Sequence, residues 1–320
     1  LDKGFLGYMS QEPNAYVTPG YPLFLSFVYS IFGYKETSPL LQVRLIQSAI
    51  GVLTCLIAYF IGKSIKNRKV GIIAAFACAI YPVFVWSPSL ILTETLYTFL
   101  FLIYLYMQIR VLKSESNIIK ALCGLVFAAA SMVRPALFPL LIIPYIYMYL
   151  KTKNKEALRA FFITASGSVL LMLPWWVRNA VTLKKFIFLA TQTGNPFLGG
   201  VFPYYQDVNF ISSSSNEQLR EGLKIVLKGF ISKPLLNLKW FTIGKFNLIF
   251  GDMWYFPPSG SDFLVSLRLF HYMVVVTGWM GAVFSLVKGK LEIISLFAIA
   301  LTLIQLAFIP EARYAYSIIP

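Results

Sequence analysis

Long apolar runs alternate with short polar gaps along most of the chain. Clear runs cover 44–62, 70–86, 90–109, 160–177, 263–287 and 291–309. Residues 121–150 form one longer run, interrupted at Arg134-Pro135. A helix crossing a hydrocarbon core about 30 Å thick needs about 20 apolar residues. Without water to satisfy backbone groups, such runs have to be helices. The pattern predicts an all-α chain, a polytopic transmembrane helix bundle with about eight crossing helices. Interfacial helices complete it.

The gaps set the orientation. Residues 63–69 carry Lys63, Lys66, Arg68 and Lys69; residues 110–120 carry Arg110, Lys113 and Lys120. Residues 151–159 carry Lys151, Lys153, Lys155 and Arg159, and residues 288–290 carry Lys288 and Lys290. The short gaps between them, 87–89, 134–135 and 310–313, carry only Arg134 and Arg313. The excess of positive charge places the first set in the cytoplasm. Both flanks of 121–150 are basic, so that run crosses an even number of times. Residues 121–133 reach only about 20 Å at 1.5 Å per residue. A pair of short helices turning at Arg134-Pro135 satisfies both facts, and proline disfavours helix in the residue before it. One kinked helix with a buried arginine is the alternative; it would invert everything downstream.

Two segments are not expected to span. Residues 19–33 are apolar but short and open with two prolines, which suits a helix at the outer interface. Residues 178–262 form a long outer loop. Within it Leu219, Leu223, Val226, Leu227, Phe230 and Ile231 repeat with helical spacing, and Glu217, Arg220, Glu221, Lys224 and Lys228 lie opposite. Ser214 and Glu217 form a capping-box pattern, and Pro234 ends the run. An amphipathic helix over 215–233 follows, seated on lipid headgroups or on the bundle. The chain thus divides into an outer segment 1–43, helices 44–177, the loop 178–262, and a last helical part 263–320.

Composition agrees. Of 320 residues, 58% are hydrophobic and 13% charged, with mean hydropathy +0.70. Soluble domains carry roughly 25% charged residues. An ordinary cytosolic globule, a disordered chain and a disulfide scaffold are therefore excluded. The net charge of +15 does not indicate nucleic acid, because the basic residues divide between two faces of a bilayer. Cys55, Cys78 and Cys123 lie inside apolar runs and read as packing residues. The chain starts at Leu1 without Met and stops as an apolar run begins, and reads as a fragment cut at both ends.

Few polar residues fall on the outer side. Glu94 opens a helix, where the dipole stabilises an acid; it is a helix-end cap or a ligand contact. Arg134 lies at a break at membrane depth, where charge is costly and usually functional. Arg178 follows Trp175-Trp176, which read as an interfacial belt pair. Glu311 and Arg313 mark the next outer helix end. Arg268 reads as a snorkelling side chain. His271, the single histidine, reads as a hydrogen-bonded packing residue. Arginine pairs bidentately with phosphate, so Arg134, Arg178, Arg268 and Arg313 at one depth suit a phosphate-bearing lipid headgroup. One histidine and scattered acids define no metal-ligand set, which leaves a divalent metal cofactor open.

The ordered set of motifs is familiar. Thr18-Pro19-Gly20-Tyr21-Pro22-Leu23-Phe24-Leu25 comes first, followed by Arg44 opening a helix, Thr93-Glu94 and Arg134-Pro135. Leu173-Pro174-Trp175-Trp176-Val177-Arg178-Asn179 and Glu311-Ala312-Arg313-Tyr314 complete it. The chain resembles bacterial members of glycosyltransferase family 39 and the related dolichyl-phosphate-mannose protein mannosyltransferase-like enzymes of GT-C fold. The resemblance implies a multi-pass plasma-membrane enzyme. It would move a sugar from a polyprenyl-phosphate donor to a protein, lipid or cell-envelope glycan acceptor on the extracytoplasmic face. It implies direct displacement with inversion, a carboxylate as general base and basic residues on the leaving phosphate. By the same resemblance Arg134, Arg178, Arg313, Tyr21, Glu94 and Glu311 are the donor-phosphate or substrate-binding candidates. The catalytic acid of the family follows a first transmembrane helix, upstream of Leu1 here, so this fragment is expected to lack transferase activity. Asp2 and Glu12 are not assigned that role. Thr18 replaces the lysine that some relatives carry before the proline motif, which shifts phosphate binding towards Arg134 or Arg313. A polysaccharide flippase or other transporter is the alternative; it should show inverted repeats, and no second half echoes the break at Arg134-Pro135.

Overall fold

In the computed structural model, residues 4–35, 38–112, 114–192, 194–206, 214–254, 262–288 and 292–319 are described. Asp2, Lys113 and Lys290 lie outside them. Every element described is a helix. In order they are α1 (Gly20–Phe32), α2 (Leu40–Ile65), α3 (Arg68–Ile80), α4 (Pro82–Trp86), α5 (Thr93–Val111), α6 (Asn117–Val133) and α7 (Ile143–Thr152). There follow α8 (Glu156–Leu183), α9 (Gly194–Gly200), α10 (Ser215–Ser232), α11 (Pro234–Lys239), α12 (Lys245–Phe250), α13 (Asp262–Lys288) and α14 (Glu292–Ala307). Short 3₁₀ turns cover Pro135–Ile142 and Ala312–Ser317.

Among the described residues, four helical stretches are long and apolar enough to cross a membrane: Leu40–Ile65, Pro135–Thr152, Glu156–Leu183 and Val265–Val287. A fifth is the pair Arg68–Ile80 and Pro82–Ser89, bent by 64°. The bend falls at Tyr81-Pro82, where proline cannot continue the preceding helix. The described residues thus give four or five candidate spans and do not confirm the eight or so expected from hydropathy. Helices α6 and α14 have 17 and 16 residues, about 25 Å at 1.5 Å per residue. Helix α5 carries Thr, Tyr and Gln because it lies at the centre. Thr95, Thr98, Tyr104 and Gln108 are all buried there. Around it Tyr104 packs against Phe127 (5.2 Å between centroids) and edge-on to Phe297 (5.6 Å).

The run 121–150 doubles back. The start of α6 meets the start of α8 through Lys120 and Glu156 (3.8 Å). The end of α7 meets the start of α14 through Lys151 and Glu292 (3.5 Å). Since α7 leads directly into α8, both ends of the run share one end of the bundle. Arg134-Pro135 lies at the other. Lys120, Lys151 and Glu156 therefore collect at one end of the run, and Arg134, with its partner Glu94, lies at the opposite end.

Helices α6 and α8 touch backbone to backbone. A Cβ on Gly124 would stand 2.0 Å from the Thr164 carbonyl oxygen. The Ser168 hydroxyl donates to the Gly124 carbonyl (3.0 Å). Small residues permit this approach, the usual means of joining helices where lipid offers no hydrophobic drive.

Candidate active site

The P-G-Y-P segment is fixed on the end of α6. Thr18 donates to the Val133 carbonyl (3.0 Å). A Cβ on Gly20 would meet the Met132 carbonyl at 2.7 Å, so only glycine allows α1 to come this close. Tyr21 then donates to Gln47 of α2 (2.8 Å). Gln47, fully buried, donates in turn to the Pro88 and Leu90 carbonyls (2.8 and 2.7 Å). This clip joins α1, α2 and the start of α5. No sequence motif pointed to Gln47; its only signal was an amide inside an apolar run.

Above this corner opens a cavity of about 1910 Å³. Tyr21, Glu94, Arg134, Arg178 and Arg313 all line it. Arg134 pairs with Glu94, and its Nε donates to the Thr93 hydroxyl (3.1 Å). The Thr93 hydroxyl donates to the other carboxylate oxygen of Glu94 (3.2 Å). Glu94 is 2% exposed, and Arg134 is the cation paired with it. The guanidinium also lies over the Tyr97 and Tyr314 rings (5.6 and 5.5 Å). Arg313 lies 5.3 Å from the same Tyr314 ring, which thus contacts two cations. Glu311 pairs with Arg313 (2.6 Å) but does not line the cavity. Three arginines against one lining carboxylate give a net positive wall.

Arg178 shares the cavity but not the expected freedom. Its Nη1 donates to the Asn14 carbonyl (3.0 Å) and the Asn179 amide oxygen (2.9 Å), its Nη2 to the Leu6 carbonyl (2.7 Å). The ring of Trp175 lies beneath it at 5.2 Å. Trp175 and Trp176 are also not a simple interfacial belt. Their indole nitrogens donate to the Leu189 and Phe188 carbonyls (3.1 and 2.8 Å). The L-P-W-W-V-R-N motif thus spends its polar atoms on two backbone segments that wall the cavity. Arg178→Ala should free residues 5–16, read as faster amide exchange or proteolysis near Leu6 and Asn14. An unchanged exchange pattern would show that the clamp does not hold them.

The remaining candidates fall elsewhere. Arg268 pairs with Asp252 (3.3 Å) rather than only snorkelling, and does not line the cavity. His271 bonds Tyr81 (2.7 Å) and the Phe250 carbonyl (2.8 Å), as a packing residue does. Among the described residues no group of three or more His, Cys, Asp or Glu could hold a metal ion.

Behind the cavity, in the loop outside the spanning helices, Lys245 is fully buried. Its Nζ donates to the Leu306 and Phe308 carbonyls (2.7 and 2.9 Å), where α14 ends. Burial pushes its pKa down to about 7. The unfolded chain keeps an ordinary lysine value of about 10.4 and so binds more protons between those values. Stability contributed at this site is lowest below pH about 7 and rises towards pH about 10. The melting temperature of the protein relative to Lys245→Met should therefore rise between pH about 6 and about 9. A constant difference would contradict that.

Comparison with known proteins adds one finding. The family model described as dolichyl-phosphate-mannose-protein mannosyltransferase matches residues 15–177. No curated protein and no solved structure gives a significant match.

Proposed function

The chain belongs to the dolichyl-phosphate-mannose-protein mannosyltransferase family, and from that premise we propose a reaction for its cavity. Members of the family are membrane glycosyltransferases with polyprenyl-phosphate sugar donors. We assign the cavity to the donor headgroup, entering from the extracytoplasmic side. The observation that carries this reading is the pair of guanidiniums, Arg134 and Arg313, that meet the one ring of Tyr314 (5.5 and 5.3 Å) on the cavity wall.

An acceptor hydroxyl oxygen attacks the anomeric carbon of the sugar. The bond from that carbon to the phosphate oxygen breaks, and polyprenyl phosphate leaves with the bonding electrons. The hydroxyl proton passes to a carboxylate base. Charge grows on the phosphate as the bond breaks, where preorganised cations stabilise it most. Arg134 is held by Glu94 and Thr93 through Nη2 and Nε, and Nη1 is the donor assigned to phosphate. Glu94 is given the role of positioning Arg134, since both of its carboxylate oxygens are already engaged, by Arg134 and by Thr93. Glu311 positions Arg313 in the same way. Tyr21 contributes to the wall beneath the donor. Arg178 holds the rim. The acceptor is a protein, a lipid or a cell-envelope glycan, and the setting is the plasma membrane.

Two measurements test this reading. Transfer from a polyprenyl-phosphate sugar, in membranes holding the full-length protein, should give a product with inverted anomeric configuration. Retention would contradict direct displacement. For sidedness, an impermeant thiol reagent added outside intact cells should label Gln192→Cys, at the cavity, and spare Lys153→Cys. Outside labelling of Lys153→Cys would reverse the orientation.

A further inference from the structure

Helix α10 carries an apolar face that the rest of the chain does not cover. Leu223 is 53% exposed, Leu227 65% and Ile231 84%, and Phe230 is exposed beside them. The spacing i, i+4, i+7, i+8 makes one continuous stripe. The opposite side is used: Gly222 is buried, and the Phe197 ring of α9 lies against it. The helix thus packs by one face and presents an apolar one outward. The stripe runs on into α11, where Leu235 is 78% exposed.

Cations border this stripe. Arg220, Lys224 and Lys228 are exposed along one edge of α10, and Lys233 is exposed at its end. The capping box that starts the helix is formed in full: the Ser214 hydroxyl accepts from the Glu217 N–H, and the Glu217 carboxylate accepts from the Ser214 N–H. The helix is therefore a defined element, and its exposed leucines are held in register.

We propose that α10 and the start of α11 lie on an anionic phospholipid surface, with Leu227 and Ile231 sunk at the acyl boundary. Lys224, Lys228 and Lys233 then meet the headgroup phosphates. The charge pattern selects this occupant: apolar residues beside a basic edge bind anionic bilayers through both terms together. The chain is itself embedded in such a surface, so the helix reaches it without a second partner. Seating has a structural consequence. The Gly194 N–H at the start of α9 donates to the Ser215 hydroxyl of α10 (2.8 Å). Residues Asn195, Pro196 and Gly199 of α9 wall the cavity. Lipid contact at α10 therefore sets the position of one side of the cavity.

The test uses fluorescence depth, which does not require activity and so stands apart from the transferase reading. The full chain, with Cys55, Cys78 and Cys123 changed to alanine, carries a fluorophore on Ile231→Cys or, as reference, on Glu221→Cys. It is placed in nanodiscs containing nitroxide-labelled phospholipid. The Ile231 position should be quenched roughly two-fold more strongly than the reference, as an in-plane amphipathic helix requires. Quenching there should deepen when phosphatidylglycerol replaces phosphatidylcholine, and Lys224→Glu with Lys228→Glu should abolish that deepening. Quenching of Ile231→Cys by aqueous iodide as strongly as of Glu221→Cys would overturn the proposal. Protection from both quenchers would overturn it equally, because it would place a protein or a second copy of this chain on the stripe.

Discussion

Replacing Arg134 with alanine is expected to lower kcat/KM for transfer by about 10²-fold or more, the usual effect of removing one preorganised donor to developing charge. That factor corresponds to about 2.7 kcal/mol of transition-state stabilisation. The same change leaves Glu94, 2% exposed, without its cation. Breaking a buried pair by removing one partner costs about 3–5 kcal/mol, so the variant should also melt at lower temperature. The two effects separate in the double variant Arg134→Ala, Glu94→Gln. Neutralising the orphaned carboxylate should return most of the thermal stability and none of the transfer rate. Recovery of both together would mean that Arg134 acts only as a structural partner. Unchanged kinetics in the single variant would remove it from the site. Initial rates at several donor concentrations, beside melting curves of each variant, decide among these.

The second large effect is expected at Gly124, which does not line the cavity. A Cβ there would stand 2.0 Å from the Thr164 carbonyl oxygen and 2.9 Å from the Ser168 nitrogen, and both are backbone atoms that cannot turn aside. Gly124→Leu should force α6 and α8 apart. Overpacking of this kind costs about 1–3 kcal/mol in ordinary cores, and more where the obstacle is rigid. The separation would also break the Ser168 bond to the Gly124 carbonyl and disturb Tyr145, whose hydroxyl donates to Thr164 (2.6 Å). We expect little monodisperse protein after extraction. Leu122→Val on the same helix is the control: Leu122 is 46% exposed, and the yield should hold. Equal yields for both variants would contradict this account of the helix pair.

Much of the helical layout was legible in hydropathy, because an apolar run in a membrane has few choices of structure. The run 44–62 lies inside α2, and 160–177 inside α8. The capping box at Ser214 and Glu217 was readable for a different reason: it is a local device whose partners lie three residues apart. The turn at Arg134-Pro135 was readable from charge on both flanks of one run. What hydropathy missed was burial. Helix α5 falls outside the spanning candidates because its polar residues are buried against protein, and composition alone does not reveal that. Arg178 was recognisable as unusual, but its carbonyl partners lie 164 and 172 residues away in the chain. Gln47 had no signal beyond its place in an apolar run. The two neighbours of Tyr314 were legible only as separate charges; that they meet one ring depends on the packing of the 3₁₀ turn Ala312–Ser317 beside α5. Arg268 was legible as an outer-end cation, but its pairing with Asp252, 16 residues earlier, was not.

The claim on which the account depends is that the wall bearing Arg134 and Arg313 receives a lipid-borne phosphate. Photo-crosslinking with a photoreactive polyprenyl phosphate tests it most directly, read as the labelled peptides of the membrane-embedded protein. Label should fall on peptides that wall the cavity, around 133–139 and 304–314. Unlabelled polyprenyl phosphate should compete it away, and Arg134→Ala should reduce it strongly. Label confined to the outward face of α13, or undiminished in Arg134→Ala, would contradict the claim.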